Sequence, residues 1–173
     1  MTLRLWIDSS VARMPRTLRE ITERAKGRGV QVVVHPHVHL ELCRHYRCKY
    51  GHRYSRDLIG NYLKDREVCI SSVRLDQAIA ERWAARLHEQ YSTDDDWEEA
   101  KLSTLGGTLR SEFVHEPGKM PMTTDWWVAL EVAESGDDRI VVEDQGEEWA
   151  ALRVAGRAMT ADVAKQWLDS LPL

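Results

Sequence analysis

Asp8, Glu41, Asp125 and Asp144 each stand just after an apolar run or in the opening turns of a helical pattern, and that placement is what gives them chemistry to do. Asp8 ends the stretch LRLWID, in which Leu3, Leu5 and Ile7 alternate with Arg4, Trp6 and Asp8 in the period of a strand. Ser9 and Ser10 then break the pattern. Glu41 lies one turn into the helix that Pro36 opens after VQVVV. Asp125 falls in the first turn of a helix begun at Thr123 or Thr124, and Asp144 follows the apolar run RIVV. In a parallel sheet with right-handed crossovers such positions converge on the carboxyl edge, where the strand ends and the loops leaving them form a crevice. Carboxylates gathered there repel one another and hold protons more tightly, so the cluster makes chemical sense with a divalent cation to neutralise it. Oxygen donors without thiolates point to Mg2+ or Mn2+ as the cofactor. For Asp8 alone there is a competing account, that it caps the helix that follows.

A second group of chemistry-bearing residues fills His35 to His52, HPHVHLELCRHYRCKYGH. Zinc sites use paired Cys or His at short spacings, usually two pairs. Here Cys43 and Cys48 have four residues between them and no second cysteine pair, and the histidines scatter round the helix, so zinc is disfavoured. Arg44, Arg47 and Lys49, with His45, His52, Arg53 and Arg56, alternate with Tyr46, Tyr50 and Tyr54. That pattern suits a helix face that grips phosphate and stacks on bases, and it equally suits an ordinary solvated charged face.

The elements that must position these groups follow from hydrophobic pattern and punctuation. Leu18, Ile21 and Ala25 keep helical spacing, and Gly27-Arg-Gly29 ends that helix. These glycines precede a strand, so they are no dinucleotide fingerprint. Val30 to Val34 is a continuous β-branched run of the kind a sheet covered on both faces requires. Further expectations are a helix at Leu58 to Leu63 and an extended segment at Val68 to Val73. An amphipathic helix at Asp76 to Tyr91 follows, and then a helix start at Asp94 to Asp96, whose acidic residues lack the pattern of a calcium loop. Gly106-Gly107 interrupts that helix, and a loop is expected at Glu116 to Pro121. Beyond it Val128, Ala129, Val132 and Ala133 form a packing face, Arg139 to Val142 a buried strand, and two structural helices lie near Trp149 to Val154 and Ala161 to Leu168.

Composition sets the outer bounds. The 173 residues, 43% hydrophobic and 30% charged, suffice for one domain with a real core. The net charge of -4 conceals an asymmetry, because Lys and Arg far outnumber Asp and Glu between Arg13 and Arg66 while the remainder is acidic. The first part can dock a polyanion and the second can hold cations, although uneven surface charge also serves solvation alone. There is no membrane-spanning run and no signal-peptide pattern, and Cys43, Cys48 and Cys69 are an odd number suited to reduced thiols. The expected location is therefore the cytoplasm, with no membrane partner.

The order LWIDSSV, VVVHPHVHLELCRH, TTDWWVALEVAESG and RIVVEDQGEEW resembles the PIN-domain ribonucleases, in particular the VapC-type toxins of bacterial toxin–antitoxin pairs. The resemblance runs through nearly the whole chain in element order, and its specificity lies in four short motifs in sequence. It implies an α/β fold: a single three-layer PIN-like domain over residues 1–173, its mainly parallel central sheet flanked by helices, with a helical or loop elaboration around 91–122. By it Asp8, followed by a hydroxyl at Ser9 or Ser10, corresponds to the first-strand aspartate. Glu41, Asp125 and Asp144 match the later acidic positions. The chain departs from the pattern at Val142, where the family usually has Thr, and at Gly146, where a second aspartate is frequent. Glu143, Glu147 or Glu148 is thus a candidate to share or replace the role of Asp144. Trp126 and Trp127 are bulkier than usual.

The resemblance implies metal-dependent hydrolysis of RNA phosphodiester bonds, with Asp8, Asp125 and Asp144 holding one or two Mg2+ or Mn2+ ions and Glu41 completing the catalytic set. It further implies a small antitoxin protein as partner and a homodimer. Arg44, Arg47 and Lys49 are assigned to the RNA backbone from charge alone. Two other readings stay open: a noncatalytic PIN-like module that binds RNA or protein, and another metal-dependent nuclease or phosphatase.

Overall fold

Strand β1 (Leu3–Ile7) lies at the centre of a sheet whose neighbours are added on one side and then on the other. In a computed structural model of the chain, residues 2–50, 56–72 and 124–173 are described. After β1 come α1 (Ser9–Ala12), α2 (Pro15–Ala25), β2 (Val30–Val34), α3 (Pro36–Tyr50), α4 (Arg56–Lys64) and β3 (Cys69–Ile70). The later residues form α5 (Thr124–Glu134), β4 (Arg139–Val141), a 3-10 turn (Glu147–Trp149), α6 (Ala150–Val154), β5 (Ala158–Met159) and α7 (Ala161–Ser170). Among the described residues the five strands make one sheet in the order β3-β2-β1-β4-β5, and every pairing is parallel. This is the expected α/β architecture, a parallel sheet flanked by helices.

Local sequence accounts for most of these elements. Pro15 and Pro36 sit at the first positions of α2 and α3, where a missing N–H costs no hydrogen bond. Leu18, Ile21, Thr22 and Ala25 give α2 its buried face, and Gly27, at φ +75°, supplies the left-handed residue that lets the chain leave the helix. The apolar run of β2 pairs with β1 from Leu3 opposite Val30 to Trp6 opposite Val33. In α4, Ile59 and Leu63 are buried, and the Tyr62 hydroxyl donates to the Ala12 carbonyl at 2.8 Å, which ties α4 to α1. α7 packs on α2, with Lys165 against Glu20 at 3.1 Å and Arg24 against Asp169 at 3.2 Å along the seam. No helix of the described residues is long and apolar enough to cross a membrane.

Both faces of β1 are covered, so its alternation does not separate core from solvent. Leu5, Trp6 and Ile7 are all buried. Arg4, on the same face as Trp6, is held by Asp138 just before β4. Its backbone N–H and Nε donate to the Asp138 carboxylate at 3.1 and 2.8 Å, and the Trp6 Nε1–H donates to it at 3.0 Å. The guanidinium also reaches Ser71 Oγ and Ser135 Oγ and lies 4.7 Å from the centre of the Trp6 ring. One carboxylate thus satisfies three donors, which makes an ion pair tolerable where the side chains are only 14% and 6% exposed.

The structure corrects several expectations. The extended segment at Val68 to Val73 is a two-residue edge strand, Cys69–Ile70, exposed and paired only with the end of β2; Val73 lies outside the described residues. β5 was not expected at all, because Ala158 and Met159 are too few to show a period. Ala133 is exposed, and Glu131 is buried on the helix face that the small residues were expected to hold alone. Trp149 belongs to the 3-10 turn before α6 and is fully buried. The expected helices and loops of residues 76–121, with the elaboration around 91–122, lie outside the described residues.

Removing Asp138 leaves Arg4 charged in a buried setting with Trp6 Nε1–H unsatisfied. Asp138→Ala is expected to lower folding stability by roughly 3–5 kcal/mol, read as a shift of the urea unfolding midpoint; a change under about 1 kcal/mol would contradict this account.

Candidate metal centre at the sheet switch point

The strand order reverses at β1, so the carboxyl ends of β1 and β4 flank the point at which connections leave in opposite directions, the place where open α/β sheets form a crevice. Asp8 is at the end of β1, its N–H donating to the Val141 carbonyl of β4 at 3.0 Å. Its two carboxylate oxygens have different surroundings. Oδ2 accepts from the Ser10 N–H at 3.1 Å and the Ser10 hydroxyl at 2.7 Å, which caps α1. Oδ1 is buried and has no hydrogen-bond partner. The two accounts of Asp8 are therefore compatible, one for each oxygen. The hydroxyl that assists Asp8 is that of Ser10, which also accepts from the Glu143 N–H at 3.4 Å and so joins the exits of β1 and β4.

The other carboxylates arrive from three more elements. Glu41 comes from the second turn of α3, Asp125 from the first turn of α5, and Asp144 from the loop after β4. Oxygens of Asp125, Asp144 and Glu148 lie within 4.8 Å of one another. Burial pushes the Asp125 carboxyl up to about 8, and the negative charges of Glu41, Asp8, Glu148 and Asp144 push in the same direction. All four carboxylates picked out in the sequence thus come together electrostatically, and Glu148 joins them.

Of the three alternatives around Asp144, the fold separates two. The Glu143 carboxylate turns away from the cluster and accepts from the Ala161 N–H at 2.8 Å, at the start of α7. Glu148 turns inward. The side chain of Glu147 lies outside the described residues. The loop is braced along its length: Asp144 Oδ1 accepts from the Gly146 N–H at 2.9 Å, and the Arg153 guanidinium donates to the carbonyls of Asp144 and Gly146 at 3.1 and 3.4 Å. The one sequence signal for Glu148 was a glycine two residues earlier, which does not by itself say which glutamate turns in. Val142 is buried, its N–H donating to the Met159 carbonyl of β5 at 2.9 Å.

The donor set fits a hard divalent cation. It consists of carboxylate oxygens, one of them buried without a partner, and such ligands suit Mg2+ or Mn2+ better than thiophilic metals. Among the described residues no His or Cys group forms a comparable set. His35 Nδ1 accepts from the His37 N–H at 3.1 Å. Burial, with His37 adding to it, holds His35 well below its ordinary pKa and so neutral.

His45 is one turn along α3 from Glu41, and its Nδ1 is 3.5 Å from Arg13 Nη1 at the end of α1. Arg44, Arg47 and Lys49 follow on α3, but their side chains lie outside those described. A separate hollow of about 530 Å³ lies at the opposite, amino end of the sheet, lined among others by Thr22, Lys26, Gln31 and Glu67. It contains none of the clustered carboxylates, and its Lys26 and Glu67 already pair with each other at 2.8 Å.

Neither a protein-family model nor a curated protein sequence matches this chain.

The raised pKa of Asp125 has a definite sign in stability. Its ordinary value is 3.8 and its folded value about 8, so between them the folded state keeps a proton that the unfolded state has released. Stability therefore falls as pH rises through that window and levels off above it. In EDTA the unfolding midpoint is expected to be higher near pH 5 than near pH 8, and Asp125→Asn is expected to flatten that slope.

Proposed function

We propose that this chain is a metal-dependent endoribonuclease of the PIN type, hydrolysing RNA phosphodiester bonds with Mg2+ or Mn2+. The observation that carries the reading is the convergence of Asp8, Glu41, Asp125, Asp144 and Glu148 at the sheet switch point, with Asp8 Oδ1 buried and unpartnered. Asp125, Asp144 and Glu148 bring oxygens within 4.8 Å of one another, and the charges of Asp8 and Glu41 act on Asp125; a divalent cation would neutralise such a group, and metal-assisted phosphoryl chemistry uses such oxygen-rich sites.

In this reading Asp8 Oδ1, Asp125, Asp144 and Glu148 hold the cation, and Glu41 adds to the negative field around Asp125. When bound, the ion supplies Lewis acidity toward phosphoryl oxygens and lowers the pKa of water. Hydrolysis adds water across one P–O ester bond and leaves a phosphate monoester and a hydroxyl. Ser10 keeps the Asp8 carboxylate oriented, because its N–H and hydroxyl both hold Oδ2 and leave Oδ1 without a partner. The preference for RNA rests on the resemblance of the motifs and on the basic residues of α1 and α3. Arg13, at the end of α1, meets His45 of α3, and α3 also carries Arg44, Arg47 and Lys49. An RNA strand laid along α3 would meet cations before its phosphate reached the carboxylates.

The toxin reading adds a small antitoxin that covers the acidic crevice, and a second copy of the chain as a dimer partner. A noncatalytic PIN-like module is the competing proposal, and it is favoured by Val142, an apolar buried residue at a position where the family usually carries a hydroxyl.

Purified protein with Mn2+ or Mg2+ is expected to cleave members of a structured RNA panel that includes tRNA, and EDTA should stop the reaction. Asp8→Asn, with folding verified by circular dichroism, should lower the rate at least about a hundredfold. Tight RNA binding without cleavage by metal-supplied wild type would select the noncatalytic module instead.

A further inference from the structure

Gly146 lies in the loop between β4 and α6, and its backbone does not explain its identity. Its φ is not in the left-handed region, unlike those of Gly27, Gly29, Gly136 and Gly156. The reason for glycine is spatial. A Cβ placed on residue 146 would lie 2.5 Å from Glu148 Cδ and 2.6 Å from Oε2, and closer still to Oε1, distances that real Cβ atoms do not show. The carboxylate of Glu148 therefore fills the volume that any side chain at 146 would need. Folded back over its own turn, it reaches Asp125 and Asp144. The backbone of the turn is fixed around it: Trp149 is fully buried and its backbone N–H donates to the Gly146 carbonyl at 3.3 Å, while Arg153 donates to the carbonyls of Asp144 and Gly146.

We propose that Glu148 is a direct ligand of the divalent cation and that Gly146 is a positioning residue whose missing side chain is the seat of the Glu148 carboxylate. This deepens the metal-centre reading above and rests on it. A second observation comes from the end of β1: Asp8, 4% exposed, has Oδ1 buried without a partner, and its negative charge acts on Asp125. A half-buried glutamate with no ligand to bind would gain by extending into water, away from the charges of Asp125 and Asp144. Glu148 instead lies against them, on the one residue of the loop that leaves it room.

The test is Mn2+ binding by isothermal titration calorimetry, which does not depend on knowing the RNA. Full-length wild type is compared with Glu148→Gln, Gly146→Ala, the double variant and Asp8→Asn, with the unfolding midpoint of each measured in EDTA. Glu148→Gln and Gly146→Ala are each expected to weaken Mn2+ binding about 10- to 100-fold. The double variant should be no weaker than the worse single one, because both changes remove the same carboxylate from the same place. Unfolding midpoints in EDTA should not fall, since the clash at 146 is with the mobile end of a side chain and each change relieves repulsion. Wild-type affinity in both single variants, with binding lost in Asp8→Asn, overturns the role of Glu148 and Gly146 while the metal centre stands. Independent, additive losses overturn the positioning role of Gly146. A folded wild type that binds no Mn2+ overturns the metal centre and this proposal with it.

Discussion

The carboxylate of Asp8 is shared between the fold and the site. Oδ2 closes the first turn of α1 through the backbone and hydroxyl of Ser10, and that capping bond fixes the direction in which Oδ1 points. Because Asp8 also bonds through its backbone to β4, the turn after the central strand and the exit of its neighbour move as one piece. The other carboxylates are placed relative to this piece. A cap is usually satisfied by water on its second oxygen, but here that oxygen is buried and has no hydrogen-bond partner.

Such a cluster opposes folding, and the rest of the sheet has to offset it. The strongest offset described is at the other end of β1, where Asp138 accepts from Arg4 and from Trp6 and so turns a potentially costly buried charge into a fully bonded one. β1 is therefore followed by a buried acid with one unpartnered oxygen and carries near its start a base that is ion-paired. The continuous apolar packing of Leu5, Trp6, Ile7, Val32, Val33, Val34, Ile140 and Val141 lies between them. Hydrophobic burial supplies the stability, and the charged ends determine where the molecule can act.

The loop after β4 shows how a site is tuned without changing the fold. Glu143 and Glu148 are chemically alike and five residues apart, but the first is captured by the backbone of α7 and the second is returned to the cluster. Neither outcome follows from side-chain type. Each follows from what the adjacent backbone leaves open: an unpaired N–H at the start of α7 in one case, and a missing Cβ at Gly146 in the other.

Much of this was already written in the order of residues. Val30 to Val34 could only be a strand buried on both faces, Pro36 marked the start of α3, and carboxylates directly after apolar runs had to arrive at the carboxyl edge of a parallel sheet. Those inferences rest on local rules of period, proline geometry and crossover handedness, which act over a few residues and survive any tertiary context. Tertiary structure decided what local rules cannot see. It recruited Ala158 and Met159 as a strand because β4 had an edge to pair, and it buried Glu131 in place of Ala133. It chose Glu148 over Glu143 because amide N–H groups and empty volume are contributed by parts of the chain that meet only when folded. The carboxylates themselves were legible one by one. Their mutual repulsion exists only once the sheet has brought them together.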